Sequence, residues 1–130
     1  MTRTTTAFTA LALAAACAAC APAEQPPETI AGLSTDRQCF FTRQIDGYGD
    51  APDGRRGDRI YISTGLDDRW LFETFGTCFE LDWTNAIALD TNGPSSLCTG
   101  DTATLIVPRG LDRTPDRCTV RLLGKMAETS

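Results

Sequence analysis

Four cysteines set the tightest limit on what this chain can fold into. Cys39, Cys78, Cys98 and Cys118 stand 39, 20 and 20 residues apart. That spacing lacks the close C-x₂-C pairs of a tetrahedral zinc site and the C-x-x-C of a thioredoxin-like redox pair. An even set of widely spaced cysteines in a small exported domain implies a disulfide framework. Four cysteines allow three pairings, and spacing alone does not select one. We expect the nested arrangement, Cys39 with Cys118 and Cys78 with Cys98, which would tie an opening strand to a closing one. Each bridge would add about 3 kcal/mol by loop closure.

The expectation of oxidation rests on the N-terminus. Arg3 places one positive charge ahead of an apolar run from Ala7 to Ala19 built mainly from Ala and Leu. This is the layout of a secretory signal, and it falls short of the roughly 20 apolar residues of a spanning helix. Small residues then lead into cysteines, as in the lipobox of bacterial lipoproteins. Cys20 follows Cys17-Ala18-Ala19, and Cys17 follows Ala14-Ala15-Ala16. We expect acylation at Cys20, with Cys17 the alternative, because Cys20 leaves the longer apolar run and the chain turns polar directly after it. The following Ala21, in place of the Asp that retains lipoproteins at the inner membrane of Gram-negative bacteria, points to the outer membrane. An ordinary cleaved signal is the competing reading. Two or more acyl chains give stable anchoring, at roughly 0.8 kcal/mol per buried CH₂.

Residues 1–20 are therefore expected to be a signal segment and 21–36, with Pro22, Pro26 and Pro27, a semi-rigid tether. Residues 37–124 should form one compact domain, and 125–130 a disordered tail. A domain of that size buries only about 60% of its unfolded surface, so covalent staples matter to it. Candidate strands are Cys39–Ile45, Arg59–Ser63, Trp70–Phe75, Ala86–Leu89, Ala103–Val107 and Cys118–Leu122, the last alternating with Cys, Val and Leu on one face. Gly65 to Asp68 suggests a hairpin, Asp46 to Asp58 a long surface loop, and Glu80 to Asn85 a single helical turn. The fold class expected is all-β, a small disulfide-stapled barrel or sandwich of five or six short strands, OB-like or SH3-like.

Composition excludes several functions. The chain has 12 Lys and Arg against 17 Asp and Glu, no His, and a net charge of −5. Without His there is no imidazole base for a cysteine or serine nucleophile. The acidic balance opposes nucleic-acid binding. No P-loop, dinucleotide fingerprint or nucleophile elbow occurs, and no cofactor or metal is called for. The acids of Asp46, Asp50 and Asp53 are spaced four and three apart, unlike an EF-hand loop. Arg56-Gly57-Asp58 spells an adhesion tripeptide too short to carry weight. Asp67-Asp68, Glu80 with Asp82, and Asp101 are the carboxylates open to acid–base chemistry. Trp70 and Trp83 are more economically core residues than a binding groove.

Five stretches together carry a family likeness: Cys39 with Ile45; Gly76-Thr77-Cys78-Phe79-Glu80-Leu81; Ala86-Ile87-Ala88-Leu89; Leu97-Cys98-Thr99-Gly100-Asp101; and Cys118-Thr119-Val120. From Cys39 to about Leu123 the chain resembles a group of small signal-bearing Gram-negative proteins and lipoproteins classed as a domain of unknown function. It departs from them at Phe79, where Pro is usual, and in a longer loop from Gly47 to Gly57. The likeness implies compartment and architecture, and no activity. The expected role is a lipid-anchored, periplasm-facing, non-catalytic binding or envelope-structural module, attached to the membrane through its anchor. A small periplasmic hydrolase using paired carboxylates is the alternative.

Overall fold

The structure is a computed structural model that describes residues 26–78, 81, 86–110 and 113–128. The signal segment with Cys17 and Cys20, and Phe79, Glu80, Asp82 and Trp83, lie outside the described residues.

The described chain is mostly β, with 53% in strands and 4% helical. Nine strands run in order: β1 (Leu33–Ser34), β2 (Cys39–Phe41), β3 (Gly47–Ala51), β4 (Arg59–Ser63), β5 (Arg69–Thr74), β6 (Ala88–Asp90), β7 (Ser96–Cys98), β8 (Thr102–Arg109) and β9 (Arg113–Met126). One 3-10 turn, Thr42–Gln44, follows β2. Seven strands make a curled antiparallel half-barrel in the order β3-β4-β5-β9-β8-β6, with β1 on the end of β9. Strands β2 and β7 form a separate two-stranded ribbon.

Period-2 alternation builds the core. Ile60 and Ile62, Trp70 and Phe72, Ala103, Leu105 and Val107, and Val120 and Leu122 face one side of the sheet and are buried there. Their register confirms the shared face, since Ile60 pairs Phe72, Phe72 pairs Leu122 and Ala103 pairs Val120. The β2–β7 ribbon closes that face with Phe40 and Leu97, which are opposite each other. The Phe40 ring lies 4.8 Å from Trp70 and 6.3 Å, edge-on, from Phe72. Trp70 is therefore core, as expected.

The cysteines pair differently from the nested arrangement. Cys39 bonds Cys98 and Cys78 bonds Cys118. The topology gives the reason. Strand β9 pairs β5 along Val120–Lys125 on one side and β8 then β1 on the other, and the opening strand does not join it. Strand β2 instead pairs β7, which sets Cys39 opposite Cys98. The loops closed span 59 and 40 residues. Each bridge taken alone would then add about 4 kcal/mol.

Three other boundaries move. The expected loop from Asp46 begins instead with strand β3, whose Gly47–Ala51 backbone pairs β4 residue for residue and whose Tyr48 packs on the core. Glycine and aspartate disguise it as a turn, and an edge strand tolerates them. The ordered chain starts before residue 37. Ile30 to Leu33 makes a turn with a 3.2 Å Leu33 N–H to Ile30 carbonyl bond, and Gly32 adopts the positive φ (76°) that its third position requires. It also ends after residue 124, because Lys125 and Met126 pair Ser34 and Leu33. The two predicted tails hold each other in place. The hairpin at Gly65–Asp68 is present, and its Gly65 amide donates to Asp46 Oδ2 at 2.9 Å.

Candidate functional site

The second face of the same strands carries charge. On β4, β5 and β9 the positions between core residues are Arg59, Glu73 and Arg121, and register places them in one cross-strand row, Arg59 beside Glu73 and Glu73 beside Arg121. Residues 26–35 pass over this row as a strap. Between strap and sheet lies a cavity of about 280 Å³, lined by Arg55, Arg56, Arg59, Arg121, Glu28 and Glu73, with Pro26, Ile30, Leu33, Phe75 and Leu123 as apolar wall. Four arginines against two glutamates give a positive site on an acidic protein.

Arg59 is the centre of the site. Its side chain is 7% exposed, and it meets a carboxylate on each of two edges. Nε donates to Glu73 Oε2 at 2.7 Å, an interaction buried with the sheet. Nη2 and Nη1 donate to Glu28 Oε2 and Oε1 at 2.8 and 3.4 Å, a two-pronged contact of the fork geometry that suits guanidinium to carboxylate. Burial disfavours the Arg59 charge, but the hydrogen bonds it donates to Glu28 and Glu73 outweigh it and hold the cation above its usual pKa. The Glu28 carboxyl is held below the usual carboxylate range, first by the Arg59 hydrogen bond and then, against some desolvation, by the charges of Arg59 and Arg55. Both cleft glutamates thus serve as acceptors to Arg59.

Arg121 is only partly used. Its guanidinium carbon lies 5.1 Å from the exposed Phe75 ring, a cation–π contact. Its Nε is buried with no hydrogen-bond partner among the described residues. A buried donor in that state costs about 1–3 kcal/mol until something accepts from it. Gly54 roofs the Arg59–Glu73 pair so closely that a Cβ there would overlap Glu73 Oε2 and Arg59 Nε.

Among the described residues, none of the carboxylates singled out in sequence lines this cleft. Asp101 caps a turn, accepting from the Cys98 amide at 2.9 Å. Asp68 pairs Lys125 at 2.6 Å, and its neighbour Asp67 is exposed. Arg56-Gly57-Asp58 is tied into the fold, since Gly57 bridges Gly76 and Asp58 Oδ2 accepts from the Cys78 amide at 3.1 Å. Among the described residues no three Cys, Asp or Glu side chains gather into a metal-binding group, and no helix is long and apolar enough to cross a membrane. The arginine row was the signal missed. Arg59 stood at the head of a predicted strand, off the phase of its apolar face, and Arg121 stood likewise between Val120 and Leu122.

No curated protein and no solved structure matches the chain. A family model matches residues 1–129, nearly the whole chain, and by it the protein belongs to DUF6491, a family of unknown function.

Proposed function

We propose that this protein is an exported, lipid-anchored module of the cell envelope, facing the periplasm from the outer membrane, that binds an anionic ligand without turning it over. The observation that carries the binding reading is the convergence of four arginines on one small cavity, with a buried Arg121 Nε still lacking an acceptor. Pockets of a few hundred Å³ with few, well-placed polar groups are the usual form of small-ligand sites. Two disulfides suit an oxidising compartment. Acid–base hydrolysis is the weaker reading, because a general acid needs a carboxyl raised by burial and Glu28 is shifted the other way.

Two measurements test the two halves. The intact mass of membrane-extracted protein should begin at Cys20 plus acyl groups, with the four remaining thiols alkylated only after reduction. An unacylated mass from another start would leave a free periplasmic protein. Millimolar citrate should raise the melting temperature of the full chain but not of Arg121→Gln, and equal shifts in both would place anion binding elsewhere.

A further inference from the structure

Resting on the reading of the cleft as an anion site, we infer that Glu28 is an internal stand-in for the ligand. The strap that carries it competes with a ligand bearing a carboxylate and an apolar tail. Glu73 Oε2 sits on the Nε/Nη2 edge of Arg59, 2.7 Å from each nitrogen, and leaves the Nη1/Nη2 edge to the cleft. What occupies that outward edge is a carboxylate, in the two-pronged geometry that carboxylates and guanidinium share. Glu28 is the more exposed of the two partners, its side chain 33% accessible against 11% for Glu73. It therefore leaves at less cost than the buried acid.

The surroundings favour a carboxylate with an apolar body. Ile30, Leu33, Phe75 and Leu123 line the cavity beside the arginines. Arg121 lines the same cavity, at the far end of the Arg59–Glu73–Arg121 row. Among the described residues the strap is held by the two-residue ladder of β1, the Ile30–Leu33 turn, the Ala127 amide on Gly32, the Gln38 side chain on Ser34 Oγ, and the bonds of Glu28 to Arg59 and the Arg55 backbone. Losing the Glu28 pair to the ligand loosens the rest. Because residues 1–25 lead directly into the strap, occupancy of the cleft would alter the segment joining the domain to its proposed anchor.

The probe is 4-methylpentanoate, with neutral 4-methylpentanamide and inorganic phosphate as controls, titrated by calorimetry into the full chain and into Glu28→Ala. Removing the internal competitor frees the competent state, so the carboxylate should bind Glu28→Ala about ten-fold more tightly than the unmodified chain. The amide should bind neither. Independently, saturating carboxylate should speed amide exchange of residues 28–34 in the unmodified chain, a readout that needs no variant to fold. Equal or weaker binding by Glu28→Ala, or slowed strap exchange, would overturn the competition while leaving the cleft an anion site. Phosphate binding as tight as the carboxylate would overturn the carboxylate assignment. Failure of every anion to bind either protein would overturn the anion site itself.

Discussion

The exposed and buried disulfides divide the covalent chemistry of the domain. Cys39 is exposed at the edge of the ribbon, whereas Cys78 is 4% exposed and packed in the core with Cys118 against it. Thiol–disulfide exchange requires access to sulfur. Limited reduction followed by alkylation and peptide mapping should therefore label Cys39 and Cys98 well before Cys78 and Cys118. Simultaneous labelling would mean that the core opens as readily as the ribbon. Of the charged residues, Arg59 and Arg121 illustrate what composition conceals. A net charge of −5 argues against a positive site, yet register gathers arginines from strands far apart in the chain. The row exists only once β5 is seated between β4 and β9.

At the scale of elements, strands with clean alternation were legible and those without it were not. Cys118–Leu122 shows period 2 in the sequence and Ala103–Val107 reads as an apolar β-branched run, and both put alternate residues on the core face in the structure. Gly47–Ala51 and Leu33–Ser34 show neither pattern in the sequence, because an edge strand and a two-residue strand are defined by their partner's hydrogen bonds rather than by buried side chains. The cysteine pairing was likewise a matter of strand order, not spacing. One glycine makes the β1 contact possible. A Cβ on Gly124 would overlap the Ser34 carbonyl and crowd Leu33 Cδ1 at 3.2 Å. Gly124→Ala should cost about 1–3 kcal/mol as an overpacked site, read as a lower urea midpoint, and amide exchange at Leu33 and Ser34 should accelerate first. The strap also responds to pH. Glu28 has its pKa lowered from 4.5 in the folded state. Its pairing therefore favours the closed strap fully above that ordinary value, and the contribution is lost as pH falls through the lowered one. Exchange of residues 28–34, corrected for intrinsic pH dependence, should rise on acidification below about 4.5 while the core of β8 and β9 stays protected.

At the scale of the whole molecule, one sheet has two uses. Its concave face, closed by the β2–β7 ribbon, contains the apolar core that holds the fold together. Its other face presents Arg59, Glu73 and Arg121 beneath a strap from the N-terminal side. Stability and the proposed binding therefore rest on alternate residues of the same strands, which fixes the cleft rigidly and leaves only its cover loosely held. The direct test follows the side-chain Nε–Hε signals of Arg59 and Arg121 by ¹⁵N NMR while 4-methylpentanoate is added to the full chain. With one carboxylate site between the arginines, both signals shift together and saturate with one dissociation constant. Shifts confined to the exposed Arg55 and Arg56, linear in ligand and abolished by salt, with Arg59 and Arg121 unmoved, would contradict it.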